Sequence, residues 1–382
     1  MIICDNPQHK NDYPIAVDHK RSLKKLNQTD NTLLSKKTKV LFLWKTEIEL
    51  KKHFQKTFSK EKNIELVFPK SFAKKNLLKL SEDADVMIGW RPSLEQLKAA
   101  ENLKLFINPG TGVKHHIKNF REIYKSRKVT LVNGHGHAYA TAQHTVAMLL
   151  SLMSRIVAHH NWMVNGVWRT SDDKDVFSAS IPLKDRKIGL LGYGAINKYV
   201  HQFLSGFENE FHILKRDKSK GIPVQIKKSR QNNIYDITEL NKFLKAIDIL
   251  IIAVPHTSKT EGLIGDNELK LLGKNGLLVN VARGTIVNEN SLYDALKNKI
   301  ISGAATDVWY NYSPEKDSKG REFPYDSKRN PFHKLNNFLL SPHRAASPFD
   351  DLKRWDEVIG NIRKVAEGNK NYLNIVDLSE EY

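Results

Sequence analysis

Residues 187–197, KIGLLGYGAIN, constrain the fold more than any other stretch of the chain. An apolar run ends at Leu191, Gly192 and Gly194 follow, and a helical pattern begins at once. Glycine at those two places permits a tight turn and leaves bare backbone beside a helix N-terminus, where free N–H groups and the helix dipole attract an anion such as a pyrophosphate. Strand, glycine turn and helix in that order form one unit of a parallel sheet with crossover helices. Asn197 stands where a third glycine would complete the GxGxxG spacing. That glycine serves close packing of helix on strand, so its replacement weakens the packing signal and leaves the anion contact intact.

The surrounding chain repeats the strand-and-helix unit. Residues 1–37 are polar and basic, are broken by Pro7 and Pro14, and read as an irregular extension. Strand-length apolar runs then recur at 39–44, 64–69, 85–90, 103–110 and 129–136, with enough chain between them for helices. A helical pattern over 140–164 predicts one long helix. A second series, at 187–194, 211–217, 248–255, 276–284, 304–309 and 337–343, supplies the six strands of a dinucleotide-binding sheet. The fold class expected is α/β, with two Rossmann-like parallel-sheet domains. Asp217 lies 23 residues after Gly194 at the end of the next run, where a carboxylate can accept hydrogen bonds from ribose hydroxyls. NAD is therefore the expected cofactor, and NADP is possible because Lys215, Arg216, Lys218 and Lys220 could neutralise a further phosphate.

Composition excludes several classes. A chain of 382 residues has room for two or three domains. One cysteine, Cys4, leaves no disulfide framework and no CxxC metal site, and no metal is expected. No apolar run approaches the roughly 18 residues of a membrane helix, and MIICDNPQHK lacks the order of a signal peptide, so a cytoplasmic protein without a membrane partner is expected. The net charge of +19 is spread along the chain rather than massed in a stripe, which argues for a solvated basic surface and against a nucleic-acid partner.

Seven motifs in order carry a resemblance: INPGTGVKHHI (107–117), NGHGHAYATAQHT (133–145), the glycine loop, AVPHTSKTEGLIG (253–265), NVARGTIVNENSLYDAL (280–296), GAATDVW (303–309) and SPHRAAS (341–347). Together they resemble the D-isomer-specific 2-hydroxyacid dehydrogenases, the family of phosphoglycerate, glycerate, D-lactate and formate dehydrogenases. The resemblance spans about 39–382. It implies a substrate domain made of 38–132 and 344–382, with an NAD-binding domain of 133–343 inserted, and a homodimer built on the long helix. It implies hydride transfer between nicotinamide and a small 2-hydroxy or 2-keto acid; the alternative is an NAD(H)-sensing, corepressor-like protein with weak or no turnover. The cofactor residues implied are Gly192, Gly194, Ala195, Ile196, Asp217, Val254, Pro255, Val281, Ala282 and Asp307.

Reducing a 2-keto acid needs a cation for the carboxylate and an acid for the developing alkoxide. Arg283 follows an apolar strand run at the expected C-terminal edge of the sheet, and a guanidinium can grip a carboxylate with two parallel bonds. His343, in the family's PH motif, is implied to be the proton donor and acceptor. The backbone of Gly110, Thr111 and Gly112 is expected to bind the carboxylate, with Trp90 and Arg91 on a second substrate-facing loop. His135, His137, His144 and His256 also fall inside the motifs. The family places a glutamate 29 positions after the arginine to pair with the histidine, and here that position is Tyr312. A phenol can orient the imidazole by a hydrogen bond but brings no charge at neutral pH; Glu315 is the other candidate for the role.

Overall fold

The computed structural model describes residues 37–168, 179–219, 232–346 and 351–382. The extension read at 1–37 lies outside the described residues except for Lys37, and so does Ser347 of the last motif. From Thr38 onward strands and helices alternate: β1 (Thr38–Phe42), α1 (Ile48–Thr57), β2 (Ile64–Val67), α2 (Lys74–Ser81), β3 (Val86–Ile88), α3 (Leu94–Ala99), β4 (Leu105–Asn108), α4 (Lys114–Tyr124) and β5 (Thr130–Asn133). The five strands pair in parallel in the order β2-β1-β3-β4-β5. Every residue of β3 and β4 is buried, as expected of a parallel sheet covered by helices on both faces, where strands read as unbroken apolar runs.

Two helices follow, α5 (Ala138–Met153) and α6 (Ile156–Val164). The single helix predicted over 140–164 is thus a broken one. Arg155 sits between the two with φ 56°, a left-handed conformation that ends the hydrogen-bond ladder. Ala142, Met148, Leu149 and Leu152 of α5 pack under the second sheet, whereas α6 buries none of its residues.

The second sheet contains β6 (Lys187–Leu191), α7 (Ala195–Leu204), β7 (Glu210–Leu214), β8 (Asn232–Tyr235), α8 (Leu240–Lys245), β9 (Ile249–Ile252), α9 (Asp266–Leu272), β10 (Leu277–Asn280), α10 (Glu289–Lys297), β11 (Gly303–Thr306) and β12 (Phe338–Leu340). Its seven parallel strands run β12-β11-β10-β9-β6-β7-β8. The sequence predicts six. The strand it misses, β8, reads NNIY, too short and too polar to register as an apolar run, and it forms by pairing with β7 along the sheet edge. Because β7 and β8 extend the sheet on one side of β6 and β9 to β12 extend it on the other, the loops after β6 and β9 part and open a crevice, the usual ligand site of such sheets.

Past the second sheet the chain returns to the first. Trp355 and the buried face of α11 (Asp356–Ala366) pack on β1, β3 and α1, joining Phe42, Phe54, Val86 and Ile88. Further on, Asn133 donates its N–H to Asn374 and Val376 donates to Leu131, so the returning chain adds an antiparallel ribbon to β5. Among the described residues no helix is long and apolar enough to cross a membrane. Ile362 is fully buried between α11 and the first sheet. Ile362→Ala should lower the unfolding free energy by about 2–5 kcal/mol, the range for a buried large-to-small change, as measured by chemical denaturation.

Candidate active site

The C-terminal edges of both sheets border one cleft of about 730 Å³. The first sheet supplies the loops after β3, β4 and β5; the second supplies those after β6, β9, β10, β11 and β12. Of the residues singled out in the sequence, Trp90, Arg91, Gly110, Thr111, Gly112, Ala195, Ile196, Val254, Pro255, Val281, Ala282, Arg283, Asp307 and His343 line it. Gly192, Gly194, Asp217 and Tyr312 do not.

Gly192 adopts φ +83°, and a Cβ there would come within 2.7 Å of Val254 Cγ1 and 2.9 Å of the Ala253 carbonyl. Only glycine turns the chain so tightly at the crevice. Gly194 is the N-cap of α7, with no side chain bonded to the first turn and open space where its Cβ would lie. The backbone N–H groups at that helix start remain available for a phosphate. Asn197, in place of the third glycine, is fully buried, and its Nδ2 donates to the carbonyls of Gly192 (2.7 Å) and Leu191 (3.3 Å). It ties the turn together from beneath. Asp217 lies three residues past the end of β7, its carboxylate accepting from the N–H (3.0 Å) and hydroxyl (2.5 Å) of Ser219.

The first sheet shapes the opposite wall. Asn108, at the end of β4, donates to the carbonyls of Gly110 and Gly112, and Asn133, at the end of β5, donates to that of Thr111 at 2.8 Å. Two buried amides therefore fix the loop 110–112. Thr111 Oγ1 also meets His137 Nε2 at 3.1 Å; burial, with Arg354 nearby, lowers the pKa of that imidazole to about 4. The Arg283 guanidinium lies against Gly112, at which even a Cβ would collide with it. Its Nη1 donates to the Ala282 carbonyl at 2.6 Å. Among the described residues no carboxylate pairs with it, and burial lowers its pKa.

His343 stands two residues beyond Ser341 with φ 57°. The buried Asp307 carboxylate holds that strained turn from both sides, accepting from Ser341 Oγ (2.5 Å), Arg344 N–H (2.7 Å) and Ala345 N–H (2.8 Å). His144, outside the cleft, completes the clamp through Ser341 Oγ at 2.9 Å. Burial lowers the His343 pKa, Asp307 raises it and Arg283 lowers it; the net direction is down. His135 and His256 line the cleft, and His256 is tied to Lys114 and Thr285 at 3.1 Å each.

Residues 146–345, more than half of the chain, match the model of the D-isomer-specific 2-hydroxyacid dehydrogenase NAD-binding domain. The chain belongs to that family. It is similar to a D-3-phosphoglycerate dehydrogenase of Methanocaldococcus jannaschii (28% identical over 315 residues, covering 81% of this chain and 55% of that one). It is also similar to a chloroplastic/mitochondrial formate dehydrogenase of Arabidopsis thaliana (28% over 261 residues, 68% of this chain and 62% of that one). The chain thus spans between half and two thirds of the length of these relatives. In structure it matches an NADPH-dependent glyoxylate/hydroxypyruvate reductase of Sinorhizobium meliloti, solved with NADP and malonate, with a TM-score of 0.67 at 20% identity over 91% of this chain and 98% of that one. That likeness is one of fold.

Against the family pattern Tyr312 is the departure. Its ring meets the His343 imidazole edge-on, with centroids 5.3 Å apart, but its hydroxyl accepts from the Trp309 N–H at 3.3 Å. No phenol-to-imidazole hydrogen bond is made among the described residues; the ring meets the imidazole edge-on and the hydroxyl lies toward the backbone of the turn after β11. Glu315 is exposed and does not line the cleft. Sequence reasoning missed Asn108 and Asn133, which read as ordinary strand ends, and Lys114, Arg354, Glu381 and Tyr382, which the fold brings to the cleft from distant positions. Gly112→Ala is predicted to push Arg283 from its seat and to weaken binding of oxamate, a small carboxylate probe, by about tenfold to a hundredfold, measured by calorimetry at unchanged thermal stability.

Proposed function

We propose that this family member is an NAD-dependent oxidoreductase that interconverts small 2-hydroxy and 2-keto acids. The observation that carries the reading is Arg283: a desolvated guanidinium with no carboxylate partner among the described residues, seated beside a histidine whose turn a buried aspartate holds. A buried cation of this kind is costly unless a ligand brings the missing charge. The fixed backbone of Gly110, Thr111 and Gly112 receives the other side of the carboxylate.

NAD, when bound, accepts or supplies the hydride. Gly192, Gly194 and the start of α7 hold its pyrophosphate, Val254, Pro255, Val281 and Ala282 form an apolar wall beside it, and Asp217 accepts from the ribose. Arg283 grips the substrate carboxylate and polarises the neighbouring carbonyl. His343 gives a proton to the carbonyl oxygen in reduction and takes it back in oxidation. Asp307 keeps the imidazole aimed, and the Tyr312 ring packs against it without adding charge. We assign 38–132 and 344–382 to the substrate domain and 133–343 to the NAD-binding domain, with Trp90 and Arg91 at the outer rim of the substrate pocket. The exposed apolar side chains of α6, among them Ile156 (57%), Met163 (52%) and Val164 (70%), support a homodimer.

A panel of glyoxylate, hydroxypyruvate and pyruvate assayed with NADH tests the activity. Arg283→Ala should cost about 3–5 kcal/mol in kcat/KM, the scale for removing one partner of a buried charge pair, while NADH affinity, read by fluorescence titration, holds. Equal turnover in that variant would make Arg283 structural. The pH dependence follows from His343. Its pKa lies below the ordinary value of about 6.5, so kcat/KM for reduction, which needs the protonated imidazole, falls as pH rises through that lower value. Tyr312→Glu sets a carboxylate against the ring, raises the pKa and moves the falling limb upward; a limb unmoved in the pH profile would place the position-312 side chain away from the imidazole.

A further inference from the structure

The loop after β7, where the adenosine ribose is expected, carries two opposed signals. Asp217 accepts from ribose hydroxyls and disfavours a 2′-phosphate, while the adjacent Arg216 is of the type that binds one. The structure shows where that arginine is held. Arg216 Nη1 lies 3.4 Å from Glu380 Oε2, and its guanidinium sits over the Tyr382 ring, 4.9 Å from the centroid. Both partners belong to residues 377–382, far from the glycine loop in sequence.

That segment is anchored on both sides of the cleft. On the first-sheet side Arg121 of α4 donates to the Leu378 carbonyl at 3.1 and 2.6 Å and pairs with Glu381 at 3.5 Å. On the second-sheet side the Ser258 N–H donates to Glu381 at 2.7 Å, and Lys259 reaches both Glu380 oxygens at 3.1 Å. Within the segment Asp377 accepts from Ser379 and Glu380, and its own N–H donates to the Tyr382 carbonyl. Glu381 and Tyr382 reach the cleft wall itself.

We propose that residues 377–382 select the coenzyme: Glu380 and Tyr382 together engage Arg216, withdraw its charge from the 2′ position, and leave Asp217 to set a preference for NAD over NADP. This rests on the coenzyme reading given above. An exposed pair such as Arg216 with Glu380 contributes little to stability, yet it competes directly with a phosphate for the same guanidinium. The ring contact adds a second hold that orients the guanidinium plane. Glu380 is a positioning residue here, acting only through Arg216.

The experiment is fluorescence titration of the full chain with NADH and NADPH, comparing wild type, Glu380→Gln, Glu380→Gln/Tyr382→Leu and the triple variant that adds Arg216→Gln. The expected result is a ratio of NADPH to NADH affinity that rises about tenfold in the double variant, the scale of one charge-assisted hydrogen bond, rises less in the single variant, and returns to the wild-type value or below once Arg216 is removed. A merely structural role for the segment would shift both nucleotides alike and leave the ratio fixed. A fixed ratio in the double variant overturns the proposal, as does a gain that survives loss of Arg216. Wild type that binds neither nucleotide overturns the coenzyme reading and this selection with it, whereas wild type that binds NADH with an unmoved ratio in the variants leaves the coenzyme reading standing and defeats the selection alone.

Discussion

A guanidinium removed from water, with no carboxylate paired to it among the described residues, is the interaction around which the cleft is arranged. Arg283 is kept in place by the carbonyl of its neighbour Ala282 and by the missing side chain at Gly112. Burial lowers the pKa of His115, His137, His256 and His343, and the Arg283 charge adds a smaller push in the same direction at each. Neutral imidazoles beside a buried guanidinium, with Arg91, Lys114 and Arg354 also on the cleft wall, form a pocket that favours an incoming anion. That the loop against Arg283 is anchored by Asn108 and Asn133, rather than left to adjust, means that the anion meets a prepared surface.

Asp307 has a different task. It follows β11 at the edge of the second sheet, lines the cleft and is buried, and its oxygens accept from Ser341, Arg344 and Ala345. Those bonds flank His343 and stabilise a left-handed backbone that a non-glycine residue adopts at a cost. With Tyr312 at the position where the family resemblance leads one to expect a glutamate, Asp307 is the carboxylate that raises the imidazole's pKa, and Arg283 opposes it. The site therefore separates orientation, which comes from the clamp and the Tyr312 ring, from electrostatic bias, which lies with Arg283 and Asp307.

Much of this was legible in the sequence because it depends on local chemistry. The glycine turn, the parallel strands and the arginine and histidine at strand ends follow from residue type and spacing, and the family follows from the order of the motifs. What was not legible depends on tertiary pairing. Strand β8 exists only because β7 offers an edge to a polar segment. The break at Arg155 interrupts an apolar periodicity that runs through it without a glycine or proline to mark the place. The Tyr312 hydroxyl goes to the Trp309 backbone because of how the turn after β11 folds, which no spacing rule encodes. Residues 380–382 carry no motif, and their approach to Arg216 follows from the path of a chain that crosses back to the first sheet.

The most direct test of the account is an NMR titration of the His343 imidazole, in the free protein and in its complex with NADH and oxamate. If His343 is buried beside an Arg283 that seats the carboxylate, the free imidazole titrates below its ordinary value of about 6.5, chiefly through burial, and moves upward when oxamate neutralises the guanidinium. An imidazole that titrates at its ordinary value in the free protein, or that does not respond to the carboxylate, would contradict it.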